Sequence, residues 1–122
     1  MKKVLLIEDE MRFHKMFDEV FKQEGLELVS AYDGALGLKT AEEQIPDLIM
    51  LDLILPKKSG FEVLKELKEN PRLAAIPVII LTNLEESKNV EEALSSGAYM
   101  YLVKANYSFD EILEKIKKIL KQ

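Results

Sequence analysis

Apolar and polar positions recur with two different periods along this chain, and the changes of period divide it into ten segments. Lys3 to Ile7 is a short β-type run. From Met11 to Gln23 the period lengthens. Phe13, Met16, Phe17, Val20 and Phe21 recur at spacings of three and four, which predicts an amphipathic helix, with Gly25 placed to end it. Leu26 to Ala31 alternates as a strand, and Asp33-Gly34 marks a turn. A weaker helix follows over Ala35 to Gln44, stopped by Pro46. Leu48 to Asp52 is the third strand. Phe61 to Glu69 is a helix with Phe61, Leu64 and Leu67 inward, ended by Asn70-Pro71. Pro77 to Thr82 is the fourth strand, Glu85 to Ser96 a helix ending at Gly97, and Tyr99 to Val103 the fifth strand. Ser108 to Lys121 is the last helix, opened by a capping box of Ser108 with Glu111.

Five strands and five helices in strict alternation predict an α/β fold, a doubly wound three-layer sandwich with a parallel sheet covered on both faces. The near-continuous aliphatic runs of strands one, three and four fit that burial. The length of 122 residues suits one domain, and a single domain over 1–122 with no second unit is expected.

Charge and composition narrow the function classes. Acids outnumber bases 22 to 17 and no basic patch stands out, which argues against direct nucleic-acid binding. The lysines of KIKKILKQ read as the polar face and last turn of a helix. The absence of Cys excludes a thiolate nucleophile, a disulfide framework and a Cys metal site, and agrees with a reducing compartment. No apolar run approaches the ~20 residues of a membrane span. The start, MKKVLLIEDE, turns acidic too soon for a secretion signal. A cytoplasmic protein with no membrane partner is expected.

The candidate chemistry lies at the strand ends. In LIMLDLILP, Leu48 to Pro56, the carboxylate of Asp52 interrupts an apolar run, where unpaired burial is costly. Ligands of open parallel sheets bind beyond the carboxyl ends of the strands. There, strand one ends in Glu8-Asp9, strand three in Asp52, strand four in Thr82-Asn83 and strand five in Lys104. If these strands are neighbours, the groups converge. At ~5 Å and an effective dielectric of ~20, each like-charge pair costs on the order of 3 kcal/mol. One lysine does not offset three carboxylates. A hard divalent cation such as Mg²⁺ does, and it favours phosphate as a further ligand. A lysine and a hydroxyl suit the other phosphoryl oxygens. The set describes an aspartyl-phosphate site with Asp52 as nucleophile. Taken singly, Glu8-Asp9 also reads as a helix N-terminus, Thr82 as a strand residue and Lys104 as a solvated lysine. Their conjunction at successive strand ends favours the site.

The motifs Val4-Leu5-Leu6-Ile7-Glu8-Asp9-Glu10, Asp47-Leu48-Ile49-Met50-Leu51-Asp52 with Pro56 and Gly60, Val78-Ile79-Ile80-Leu81-Thr82, and Gly97-Ala98 before Tyr101-Leu102-Val103-Lys104 stand in order. With them the chain resembles, over essentially its whole length, the receiver domain of two-component response regulators, the CheY-like family. The resemblance implies a flavodoxin-like sheet in the order 2-1-3-4-5. It implies that Asp52 accepts a phosphoryl group from a sensor histidine kinase or phosphotransfer protein in a Mg²⁺-dependent reaction. Glu8, Asp9, Asp52 and the backbone carbonyl of Ile54 would hold the Mg²⁺. Lys104 would pair with the acids and the phosphoryl group, and Thr82 with Tyr101 would form the switch. The output surface for a downstream protein target would be the fourth helix, fifth strand and fifth helix. The expected protein is a stand-alone monomer, dimerisation being an option of its phosphorylated state, and it catalyses only its own phosphorylation and dephosphorylation. One alternative is a phosphorylation-independent interaction module on the same fold. Another is a small-molecule phosphohydrolase, which would want an acid where Ile54 stands, and a cap domain.

Several positions depart from the family pattern. Ala105 follows Lys104 where the family usually has proline, so a trans bond or a different loop is expected. Asn83 is larger than the usual Ala or Ser and would crowd an approaching phosphodonor. Ile54 and Leu84 are apolar, would flank the phosphoryl group and would hinder the attacking water, which implies a long-lived phosphoryl group. His14, the sole histidine, is expected as a surface or half-buried residue of the first helix, not as a relay histidine. Met16 and Met50 read as core filler.

Overall fold

The computed structural model describes residues 1–121. Strand β1 (Lys3–Ile7) leads into helix α1 (Met11–Glu24), β2 (Glu27–Ala31) into α2 (Gly34–Gln44), β3 (Leu48–Leu51) into α3 (Gly60–Glu69). Then follow β4 (Val78–Thr82), α4 (Ser87–Ser95), β5 (Met100–Val103), a 3₁₀ turn (Lys104–Asn106) and α5 (Phe109–Leu120). The strands form one parallel sheet in the order β2-β1-β3-β4-β5, as expected.

The sheet is covered on both faces, and the period of two along each strand decides which residue goes where. Val4, Leu6, Leu48, Met50, Ile79, Leu81 and Leu102 pack with Phe17 and Phe21 of α1 and Ile112, Leu113 and Ile116 of α5. Leu5, Ile7, Ile49, Leu51, Val78 and Ile80 pack on the opposite face with Ala41 of α2, Val63, Leu64 and Leu67 of α3 and Ala93 of α4. Burying a Leu, Ile or Phe side chain stabilises by roughly 1.5–3 kcal/mol, so the two layers supply the drive for folding.

The element ends carry the local signals. Gly25 closes α1 at φ 71° and bonds back to the Phe21 carbonyl, a left-handed conformation in which glycine has no steric penalty. Asp33, expected within a turn, is the cap of α2 and accepts from the Leu36 N–H at 2.7 Å. The capping box of Ser108 and Glu111 is present in both directions.

Several side chains differ from expectation. Met16 is exposed, while Met50 is fully buried as expected. The buried stripe of α1 runs through His14, Phe17 and Phe21, and Met16 lies off it. On α3, Val63 takes the place expected for Phe61, which is only half-buried against the core. His14 is buried rather than superficial, with 3% of its surface exposed.

Candidate functional site

The site forms at the carboxyl edge of the sheet because strand order makes β1, β3, β4 and β5 neighbours there. Continuing the period of two, Glu8 follows Val4 and Leu6, Asp52 follows Leu48 and Met50, and Lys104 follows Leu102, all on the α1/α5 face. Thr82 follows Val78 and Ile80, and Tyr101 is paired with Ile80, on the other face.

Glu8, Asp9 and Asp52 each bring a carboxylate oxygen to within 4.8 Å of the others. Glu8 and Asp52 are buried and Asp9 is exposed at the mouth. The Lys104 ammonium spans the two buried acids. It donates to Glu8 Oε1 and to Asp52 Oδ2, the latter at 3.0 Å, with only 6% of its side chain exposed. The Asp52 N–H continues the ladder by donating to the Ile7 carbonyl at 3.1 Å. Asp52 Oδ1 accepts from the Ile54 N–H at 3.2 Å, while Ile54 as a whole is 59% exposed. Gly60 is fitted against this turn. A Cβ there would stand 2.2 Å from the Asp52 carbonyl oxygen, so the backbone approach needs glycine.

The electrostatics call for a further positive charge. Burial pushes Glu8 up from 4.5 to about 7 even though Lys104 and the Glu10 N–H favour its charged form. Burial alone would lower Lys104, but its hydrogen bonds to Glu8 and Asp52 hold it above its ordinary value. One ammonium shared by two buried carboxylates leaves negative charge uncompensated. Three carboxylate oxygens this close suit a hard divalent cation with oxygen ligands. Glu8, Asp9 and Asp52 are the residues that would hold it.

Thr82 Oγ1 is buried and has no hydrogen-bond partner among the described residues. An unpaired buried hydroxyl costs about 1–3 kcal/mol and is unusual in a native core. An acceptor arriving at the strand end would satisfy it. Tyr101 is half-buried, and its hydroxyl donates to the Leu84 carbonyl at 2.8 Å, which ties β5 to the loop after β4. Burial, with the Asp52 charge as a smaller contribution, holds the Tyr101 hydroxyl above its usual value.

No cis peptide bond occurs among the described residues, so Lys104–Ala105 is trans and the chain passes into a 3₁₀ turn. Asn83 lines a cleft of about 430 Å³ beside the site, together with Arg12, Phe13, Met16, Lys104, Ala105 and Phe109.

Two contacts at the site were not foreseen from the sequence. Phe13 lies under the Lys104 ammonium, 4.4 Å from nitrogen to ring centroid, and is itself backed by Phe109 at 5.8 Å. The ring is thus a third partner of the ammonium beside the two acids. His14 bonds the Glu8 carbonyl. Its spacing of three and seven from Phe17 and Phe21 was the available signal that it faces inward.

Comparison with known proteins gives a consistent picture. The family model for the response regulator receiver domain matches residues 4–117. The chain is 38% identical to transcriptional regulatory protein CiaR of Streptococcus pneumoniae, over 98% of this chain and 52% of that protein. It is 33% identical to sporulation initiation phosphotransferase F of Bacillus subtilis, over 97% of this chain and 93% of that protein. Among solved structures it is similar to the Mn(2+)-bound form of response regulator Rcp1, with a TM-score of 0.82 and 33% identity, covering 98% of this chain and 91% of that one. The chain spans about half the length of the first curated relatives it matches.

Proposed function

The chain belongs to the response regulator receiver domain family of two-component signalling, and from that premise we propose that Asp52 is its phosphoacceptor, in a Mg²⁺-dependent reaction with a phosphohistidine donor. The donor is a sensor histidine kinase or a phosphotransfer protein. The observation that carries the reading is the meeting of three carboxylates within 4.8 Å with Lys104 at 3.0 Å from Asp52. The orphaned buried hydroxyl of Thr82 adds to it.

An Asp52 carboxylate oxygen attacks phosphorus. The bond from phosphorus to the donor imidazole nitrogen breaks, and its electron pair stays on the ring, which takes up a proton. Glu8, Asp9 and Asp52, with the Ile54 carbonyl, would hold the Mg²⁺, which would supply the positive charge that lets a phosphoryl group approach these acids. Lys104, bonded to Glu8 Oε1 and Asp52 Oδ2, stabilises the charge that gathers on the transferring group. Phe13 and the two acids fix the ammonium beforehand, so little reorganisation is needed.

Phosphorylation adds roughly −1.5 to −2 charge and three acceptor oxygens. The Thr82 hydroxyl gains the acceptor it lacks and is drawn to it. Tyr101, on the same face and tied to Leu84, responds to that movement. The change reaches α4, β5 and α5, where a protein target reads it. The equilibrium shifts only by the difference in interaction between the two states. Ile54 and Leu84 flank the phosphoryl group and keep attacking water away, so it persists.

The test is intact mass after incubation with Mg²⁺ and a small phosphodonor such as acetyl phosphate, beside Asp52→Ala. The expected result is one phosphoryl-sized gain that needs Mg²⁺, is missing in Asp52→Ala and decays slowly. A half-life of seconds would overturn the shielding by Ile54 and Leu84. No gain, even from a histidine kinase, would leave the fold as a phosphorylation-independent interaction module.

A further inference from the structure

The segment that carries Glu8 and Asp9 leaves the sheet at Ile7 and enters α1 at Met11, so the strand ladder no longer pairs all of its backbone groups. The Glu8 N–H still donates to the Ala31 carbonyl at 3.0 Å, and the Glu10 N–H donates to Glu8 Oε2 at 2.9 Å. The Glu8 carbonyl accepts from His14 Nε2 at 2.7 Å. Glu10, the cap of α1, makes no side-chain cap bond, so the imidazole of His14 ties this segment to the helix. A carbonyl oxygen only accepts, so Nε2 carries a proton. Nδ1 lies 2.7 Å from Ser30 Oγ on β2, and the ring packs 4.4 Å from that of Tyr32. The ring is therefore oriented by β2 and aimed at the backbone of a metal-site acid.

We propose that His14, oriented by Ser30, is a positioning residue for the Mg²⁺ site. Its bond to the Glu8 carbonyl fixes the peptide between Glu8 and Asp9, and with it the directions in which both carboxylates meet a cation. Groups hydrogen-bonded behind metal ligands commonly act in this way on side chains; here the action is on the ligand's own backbone. The inference rests on the reading of Glu8 and Asp9 as Mg²⁺ ligands.

The test is calorimetric titration of the chain with Mg²⁺, beside thermal melts in EDTA. His14→Phe keeps an aromatic ring of similar size but has no donor, and its Kd for Mg²⁺ is expected to rise about tenfold. His14→Gln, whose amide N–H can reach a carbonyl, is expected to recover most of that loss. A residue that only fills space would lower the melting temperature and leave the Kd unchanged, and that result overturns the proposal. His14 is the sole histidine, so its ¹⁵N signals belong to it without assignment. A proton on Nε2 is expected, and a ring protonated on Nδ1 alone would overturn the proposal. Should His14→Phe fail to fold, Ser30→Ala serves instead, with a Kd that also rises; an unchanged Kd there counts against the proposal equally. A wild-type chain that binds no Mg²⁺ refutes the metal site itself, and the positioning role with it.

Discussion

At the carboxyl edge of the sheet, the α1/α5 face and the α3/α4 face hold their polar groups in opposite ways. On the first, Glu8 is bound through its N–H, its carbonyl and both side-chain oxygens, Asp52 through its N–H and both carboxylate oxygens, and Lys104 by two acids and a ring. On the second, the Thr82 hydroxyl has no partner among the described residues, and Tyr101 has a single bond to the Leu84 carbonyl. Helix α4, which follows that loop, has one fully buried residue, Ala93, and no side-chain cap bond. Under the proposed phosphoacceptor reading, the difference would separate two tasks. Charge is handled where geometry is over-determined and little reorganisation is needed. A response is relayed where few bonds must break, since moving elements come from the less strongly held parts of a fold.

The strongest way to break this contrast is Gly60→Ala, at the start of α3 but packed against the turn that carries Asp52. The added carbon would meet the backbone of Asp52 and Leu53 at 2.2 and 2.4 Å, atoms that move only if the chain moves. Denaturant melts should show a loss of about 3 kcal/mol or more, and the mass assay should show little phosphorylation. A near-neutral result would mean that the turn around Asp52 is loose.

A pH series tests the charge balance on the α1/α5 face. Glu8 is raised from 4.5 to about 7 by burial. Between those values the folded chain holds a proton that the unfolded chain has lost, so stability in EDTA should fall as pH rises from about 4.5 through 7. Glu8→Gln should flatten that fall, and Mg²⁺ should offset it for the native chain at pH 7. Equal slopes for the two chains would show that Glu8 is not the source.

Thr82→Val sharpens the contrast from the other face. Removing a buried hydroxyl that has no partner should leave the unphosphorylated chain as stable as before or about 1 kcal/mol more so. NMR shifts at Tyr101 and α4 should then respond far less to phosphorylation. A loss of stability would reveal a hydrogen bond to that hydroxyl.

The smallest effect is expected from Phe13→Leu, which keeps apolar bulk below Lys104 but removes the ring face. Phe13 is only half-buried and lines the cleft, so its cation–π contact contributes about 1 kcal/mol, between the exposed and the fully desolvated case, and phosphorylation by a small donor should slow severalfold with a small fall in melting temperature. An unchanged rate would mean that the acids alone orient the lysine.

Much of this arrangement was legible beforehand. The alternation of periods placed every strand and helix to within a few residues, because a period reports which side of an element faces the core. Polar residues ending aliphatic runs marked Glu8, Asp9, Asp52, Thr82 and Lys104. Within α1 the same reading erred at Met16, since Phe13, Met16 and Val20 form a second stripe beside the buried one. A residue on that stripe is covered only if α5 reaches it, as Phe109 reaches Phe13.

The sequence by itself determined the α/β class, the edge at which chemistry could occur and the kinds of groups offered there. Strand order and register decided the rest. Lys104 finds Glu8 across 96 residues, and His14 finds Ser30 across 16. Phe13 stacks under a lysine from the far end of the chain, and Gly60 admits the Asp52 carbonyl. A hydrophobic period acts within one element and carries no information about which element lies beside it. Hydrogen bonds and close backbone approaches depend on that neighbour to within an ångström, and only packing of the whole sheet supplies it.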